Sequence, residues 1–267
     1  MIDKTAVIHP SAKIAEDAII GPYVVIGEGV TIGSKTRVIS NAHIEFTEIG
    51  ERCTVSPFAT IGSEPQDLGY KGEATKVVIG NDTIIKENVT IHRAAACGDF
   101  TTRIGNKCLL MVGSHIAHNC VLEDEVILAN LVTLGGHVHV GFGAFVGGMS
   151  VFHQNIRIGD MAIISGFSAS RMDILPYSKG DGRPAIPRGL NVVAMRRRGV
   201  SPEERTATNE ALKLLISKDY NVTQAIEKIQ AEIPMNPYIE KMIEFVKSSK
   251  RGVLLKGHST GNNSLED

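Results

Sequence analysis

A chain of 267 residues with 28 Lys and Arg against 29 Asp and Glu carries a formal charge of −1, so no general attraction to nucleic acid or to a membrane surface follows and any basic patch must be local. It has no Trp, and only 5% of its residues are aromatic, which fits a narrow interior of Ile, Val and Leu better than a wide globular core. The start, Met1-Ile2-Asp3-Lys4, lacks the charged and apolar regions of a signal peptide, and no apolar stretch reaches the roughly 18 residues of a membrane-spanning helix, so a cytoplasmic protein with no integral membrane segment is expected.

From the start of the chain an aliphatic residue returns every six positions, through Ile8, Ile14, Ile20, Ile26, Ile32, Val38 and Ile44. The period resumes at Ile49, Val55 and Ile61, again at Ile79, Ile85 and Ile91, and then runs unbroken from Ile104 through Leu110, Ile116, Leu122, Leu128, Leu134, Val140, Val146, Phe152 and Ile158 to Ile164. Such a repeat predicts a β-solenoid of the hexapeptide parallel β-helix kind, in which each hexad is one short strand plus a turn and stacked neighbours bury one continuous core. Cys53, Cys97, Cys108 and Cys120 form no CxxC pair or secretory framework and read as reduced thiols filling core and turns.

The rod ends near Pro176, where the Pro- and Gly-dense stretch up to Arg188 breaks the period. Helical spacing follows. Ser201-Pro202-Glu203-Glu204 combines an N-cap, a Pro at the first helical position and a capping-box Glu, Asn236-Pro237 repeats the cap signal, and a shorter helix is expected over 222–232. The predicted organisation is a repeat domain over 1–184 with insertions near 62–78 and 93–103, a small α-helical domain over 185–255, and a polar tail over 256–267 expected to be disordered.

If three hexads make one turn of a triangular coil, Ile61, Ile91, Ile116, Leu134 and Phe152 share one face, and both insertions leave from it. Long loops in a compact repeat are usually functional or disordered, and two on one column favour a site there. The histidines fall on the same column: His92, His115, His118, His137 and His153. Gly136 follows His118 by 18 residues and Gln154 follows Gly136 by 18, which stacks the three in register about 4.8 Å apart. A single histidine in a β-structure is usually a satisfied polar residue, but five on one face point to a functional cluster.

Neutral imidazole can take a proton from a hydroxyl and return it to a leaving group, the acid-base cycle of acyl transfer. A backbone N–H on the adjacent coil could hold the oxyanion, and a glycine such as Gly136 permits close approach. Ser114 and Cys120 flank the histidines but read as a turn residue and a packed thiol, so direct transfer without a covalent intermediate is favoured. Gly166, one coil beyond His153 and Gln154, leaves room along a groove between rods.

The run Leu110 to Cys120 containing Ser114-His115-Ile116-Ala117-His118-Asn119, followed by Gly136-His137-Val138, by Gly147-Gly148 through His153-Gln154, and by Gly189-Leu190-Asn191 with Arg196-Arg197-Arg198-Gly199, closely resembles the acyl-carrier-protein:UDP-N-acetylglucosamine O-acyltransferase family of lipid A biosynthesis. Gln66-Asp67-Leu68 and Thr90-Ile91-His92-Arg93 fit it too, and the likeness spans the first hexads to the C-terminal helices. The resemblance implies a left-handed parallel β-helix, a homotrimer and sites in clefts between subunits. It further implies that His118 is the general base acting on the glucosamine 3-hydroxyl, that the Gly136 N–H holds the oxyanion, and that the donor is a (R)-3-hydroxyacyl carrier protein. Gln66, Asp67, His92, His115, His137, His153, Gln154 and Gly166 would contact sugar or acyl group, and Asn191, Arg197 and Arg198 the nucleotide or phosphopantetheine arm. No metal and no separate cofactor are implied, since the 4′-phosphopantetheine belongs to the carrier protein.

Three positions depart from the family pattern: Asn119 where Asp is frequent, Gly69 where a Lys often follows Gln-Asp-Leu, and Arg183 where Asn is usual. Stacked histidines on a trimeric β-helix also build the zinc site of gamma-type carbonic anhydrases, which are shorter and have no need of the helical domain. Related sugar N-acyltransferases normally carry an extra domain before the hexads. A non-catalytic scaffold would not need histidines gathered on one face.

Overall fold

The computed structural model describes residues 1–96 and 98–255; Cys97 and the tail over 256–267 lie outside the described residues. Among these the hexads form short strands, most of two residues, that fall into three sheets of nine, eight and ten strands, parallel except for the antiparallel last pair of the third. Successive strands visit the first, second and third sheet in turn, and the coil is a left-handed parallel β-helix. In the two-residue strands the second residue points inward. Ile61, Ile91, Ile116 and Leu134 are fully buried and in register on the first sheet, with Phe152 next in the column, as the six-residue period requires. Each inward residue packs on its counterparts one coil above and below, so the core is continuous and almost wholly aliphatic, with Phe152 its aromatic member.

From Tyr23 onward most corners are tight turns with one residue in the left-handed region. That position is held by Asn119, His137 and Asn155 on the edge between the first and second sheets, and by Leu131, Met149 and Phe167 on the edge between the third and first. Left-handed backbone is uncommon outside glycine, and here the ladder hydrogen bonds on both sides of every turn impose it.

Both insertions leave the first sheet and return to the second. The strands flanking the first, Thr60–Ser63 and Lys76–Ile79, extend past the hexad pattern and narrow the loop to 64–75; the second loop covers 93–100, before Thr101–Ile104. The proposed break at 184/185 falls in the turn of a hairpin. Its arms, Ser178–Asp181 and Ile186–Leu190, prolong the third sheet, the first arm pairing with Ile163–Ile164. The Pro- and Gly-rich stretch therefore reverses the chain while keeping it on the rod.

Four helices follow: α1 (Val192–Arg197), α2 (Pro202–Ile216), α3 (Val222–Glu232) and α4 (Pro237–Lys247). Ser201 caps α2 in a capping box with Glu204, and Asn236 caps α4. Their apolar faces share one core with Met161, Leu175 and Tyr177 of the last coils, so the helices dock on the end of the rod. Arg157 fastens α4 from the second sheet, stacking 4.1 Å from the Phe245 ring and bonding at 2.9 Å to the buried Asp173 carboxylate.

Candidate active site

The histidine column lies along the edge between the first and second sheets. His118 follows the strand His115–Ile116, Gly136 and His137 follow Thr133–Leu134, and His153 and Gln154 follow Val151–Phe152, so successive coils bring them into one line. The His118 and His137 rings meet edge to face at 5.2 Å, and those of His92 and His115 do so at 5.1 Å.

The tautomer of His118 can be read from its neighbours. Asn119 Oδ1 accepts the Ala95 N–H at 2.9 Å while its Nδ2 donates to the Ala95 carbonyl at 3.3 Å, which fixes the orientation of the amide. The same Oδ1 lies 2.9 Å from His118 Nδ1 and can only accept, so Nδ1 carries the ring proton and Nε2 keeps its lone pair. Ala95 stands on the second insertion, and this loop therefore sets the tautomer of the candidate base. The Cε1–Nε2 side of the ring lies against buried Gly136, whose N–H finds no acceptor among the described residues.

The surrounding imidazoles are held neutral. Burial pushes His115 down to about 4, with His92 adding to the effect, and its Nδ1 pairs with Thr90 Oγ1 at 2.7 Å. Burial also lowers His92 and His137; for His137 the nearby Asp67 carboxylate acts in the opposite direction. His92 Nδ1 is buried with no hydrogen bond of ordinary geometry among the described residues, although the Glu64 backbone lies close enough to oppose the effect of burial.

Asp67 and exposed Gln66 ride on the first insertion, where Asp67 Oδ1 accepts the Gly69 N–H at 2.8 Å. Arg93, which sequence reasoning did not single out, ties this loop down. Its buried guanidinium donates to the Gly62 carbonyl at 2.8 Å and to Tyr70 Oη at 3.1 Å, and it lies 4.6 Å from the Phe46 ring centroid. Among the described residues no three His, Cys, Asp or Glu side chains gather as a metal-holding group.

The remaining predicted residues lie on other edges of the same chain. Arg198 ends α1 and pairs at 2.6 Å with Glu125, stacking over Phe142, on the edge between the second and third sheets. Exposed Arg197 precedes it, and Asn191 is the N-cap of α1, accepting from Ala194 N while its Nδ2 donates to the Met161 carbonyl. Asn191 thus has a structural task that its motif did not reveal. Gly166 is on the edge between the third and first sheets, facing the Gly148 carbonyl and not His153. Beside His153 opens an apolar cavity of about 610 Å³ lined by Val151, Ala169, Met172, Pro184 and Leu254.

The family model described as Udp N-acetylglucosamine O-acyltransferase; Domain 2 matches residues 173–254. A protein of Thermodesulfovibrio yellowstonii named acyl-[acyl-carrier-protein]–UDP-N-acetylglucosamine O-acyltransferase is 46% identical over 94% of this chain and 98% of its own length. The chain belongs to the UDP-N-acetylglucosamine O-acyltransferase family. A second member, from Syntrophobacter fumaroxidans, is 40% identical over 95% of this chain and 99% of its own. The solved structure of the Acinetobacter baumannii family member superposes with a TM-score of 0.91 at 41% identity, covering 95% of this chain and 99% of that one. A model described as GMPPB C-terminal domain matches residues 2–96, the first coils and both flanks of the first insertion. This O-acyltransferase family takes the place of the zinc and scaffold readings of the histidine column.

Proposed function

We propose that the chain transfers a (R)-3-hydroxyacyl group from acyl carrier protein to the glucosamine 3-hydroxyl of UDP-N-acetylglucosamine, the first step of lipid A biosynthesis. The observation that carries this reading is the tautomer of His118: a bare Nε2 beside Gly136, with the ring proton held by an amide fixed at both ends. Nε2 takes the proton of the sugar hydroxyl as its oxygen attacks the thioester carbonyl carbon. The Gly136 N–H receives the oxyanion. Collapse breaks the carbon–sulfur bond, and the departing phosphopantetheine thiolate takes the proton back from His118. The 4′-phosphopantetheine belongs to the carrier protein, and the scheme needs no metal and no further cofactor.

His92, His115, His137, His153 and Gln154 position the reactants, and Gln66 and Asp67 close on the sugar from the first insertion. Arg197 and Arg198 meet the diphosphate or the acidic carrier protein, whose charge suits a local basic patch. Asn191 orients α1 beneath them. The apolar cavity beside His153 and the edge at Gly166 suit the acyl chain.

The working unit in this reading is a homotrimer. Val112, Leu131, Met149 and Phe167 make an exposed apolar line along the edge between the third and first sheets, with Val151 and Ile84 exposed on the flanking sheets. Three copies closed around that edge would bury it and set the first sheet of each against the third sheet of the next. The outer borders of those facing sheets are the His118 edge and the Arg198 edge, so residues far apart in one chain meet across the cleft. A cytoplasmic location fits this role, and among the described residues no helix is long and apolar enough to cross a membrane.

The test is to incubate the purified protein with UDP-N-acetylglucosamine, or its 3-amino analogue, and a ladder of (R)-3-hydroxyacyl carrier proteins, and to weigh the products. An ester of the first sugar supports the proposal. An amide formed only from the analogue would reassign the acceptor, and hydrolysis without transfer would overturn the mechanism.

A further inference from the structure

After α4 the chain turns back to the last coils, where Val253 bridges to Asp173 and the side chains of Leu254 and Leu255 are buried. This return brings Arg251 to the histidine edge. Its Nη2 lies 2.7 Å from His153 Nδ1 and 3.4 Å from the Gln154 carbonyl oxygen, and His153 Nδ1 is itself 3.2 Å from that oxygen.

Two partners compete for one ring nitrogen, and they require opposite tautomers. A guanidinium N–H can only donate, so the contact at 2.7 Å needs a bare Nδ1 and puts the ring proton on Nε2. A carbonyl can only accept, so the contact at 3.2 Å needs the proton on Nδ1. The shorter, charge-assisted bond prevails, and the carbonyl is then served by Arg251 itself.

We infer that Arg251 is a positioning residue for His153, selecting the tautomer that presents an Nε2–H donor to a substrate oxygen with no proton of its own, such as a phosphate or carbonyl oxygen. The inference rests on the reading of His153 as a substrate contact. It gives two imidazoles on one edge opposite roles through their neighbours: Asn119 makes His118 an acceptor at Nε2, and Arg251 makes His153 a donor there. Arg251 Nη2 occupies Nδ1, so Nε2 is the ring nitrogen left for hydrogen bonding.

The experiment uses the full chain with 15N-labelled histidine in alkaline buffer, where imidazoles are neutral and the two ring nitrogens report the tautomer. The His153 signals are those lost in His153→Ala. The native protein should show a protonated Nε2 and a bare Nδ1, Arg251→Met should move the proton to Nδ1, and Arg251→Lys should keep the native pattern. Turnover is measured in parallel. Arg251→Met should lower kcat/KM about tenfold in the native background and by no further factor in a His153→Ala background. An unchanged tautomer in Arg251→Met, or an equal loss in both backgrounds, would overturn the role of Arg251 alone. Full activity of His153→Ala would retire His153 as a contact and this inference with it.

Discussion

Gly136 stands directly against the imidazole of His118: a Cβ on it would fall 2.5 Å from Cε1 and 2.6 Å from Nε2. Its backbone is not in the left-handed region, so the glycine is kept for space rather than for conformational freedom. Gly136→Ala should push the ring away from Asn119 Oδ1 and lower kcat by about 10²-fold while thermal melting changes little, because the displaced group is the free end of a side chain. A large drop in melting temperature with normal kcat per folded molecule would contradict this.

Removing the base gives a cleaner loss. His118→Ala should cut turnover by about 10²-fold or more, with sugar-nucleotide binding preserved in calorimetry. Asn119→Ala should cost about tenfold in kcat, since Nδ1–H loses its acceptor and the tautomer is no longer fixed. Near-normal turnover in His118→Ala would remove it from the mechanism.

The separation of His118 and Arg197 on different edges leads to a complementation experiment. Each variant alone, His118→Ala or Arg197→Ala, should be impaired. If every site takes its histidine from one subunit and its arginine from the next, random co-assembly in equal amounts should restore about a quarter of the sites. Activity that stays at the average of the two variants would place both groups in one subunit.

Stability should depend on pH through His115. Its native value of about 4 lies below the ordinary 6.5 because of burial, so between these values the unfolded chain binds a proton that the native protein refuses. The contribution is fully present above about 6.5 and is lost as pH falls to about 4; it amounts to about 3 kcal/mol before solvent screening at the partly exposed ring, and less after it. His92 and His137 are shifted in the same direction. Denaturant midpoints of the native protein and His115→Asn, compared across this window, should show a shallower pH slope in the variant. Equal slopes would mean that His115 does not contribute.

Gly166 reports on acyl length. A Cβ there would sit 3.1 Å from the Gly148 carbonyl, and a longer side chain must project outward along the apolar edge. Gly166→Met should shift preference to shorter acyl chains, each excluded methylene weakening binding by about 0.8 kcal/mol. An unaltered profile across the carrier-protein ladder would locate the length limit elsewhere, with the cavity at Val151 and Met172 the next region to alter.

Relations that run along the rod axis were legible in residue spacing alone. Ile116, Leu134 and Phe152 are in register because each hexad contacts only the coils above and below, so a fixed spacing translates directly into a column, and the histidines inherit it. The helix starts at Ser201 and Asn236 were legible for a similar reason, since a cap is satisfied within three residues. Relations across the rod were not. The distribution of His118, Arg198 and Gly166 over three edges depends on where each turn falls, and the hairpin over 178–190 decides where α1 begins. No periodicity links Ala95 to Asn119 or Arg251 to His153, the latter pair 98 residues apart. Which imidazole nitrogen is bare is decided by those distant donors and acceptors, and only the tertiary structure brings them within hydrogen-bond reach.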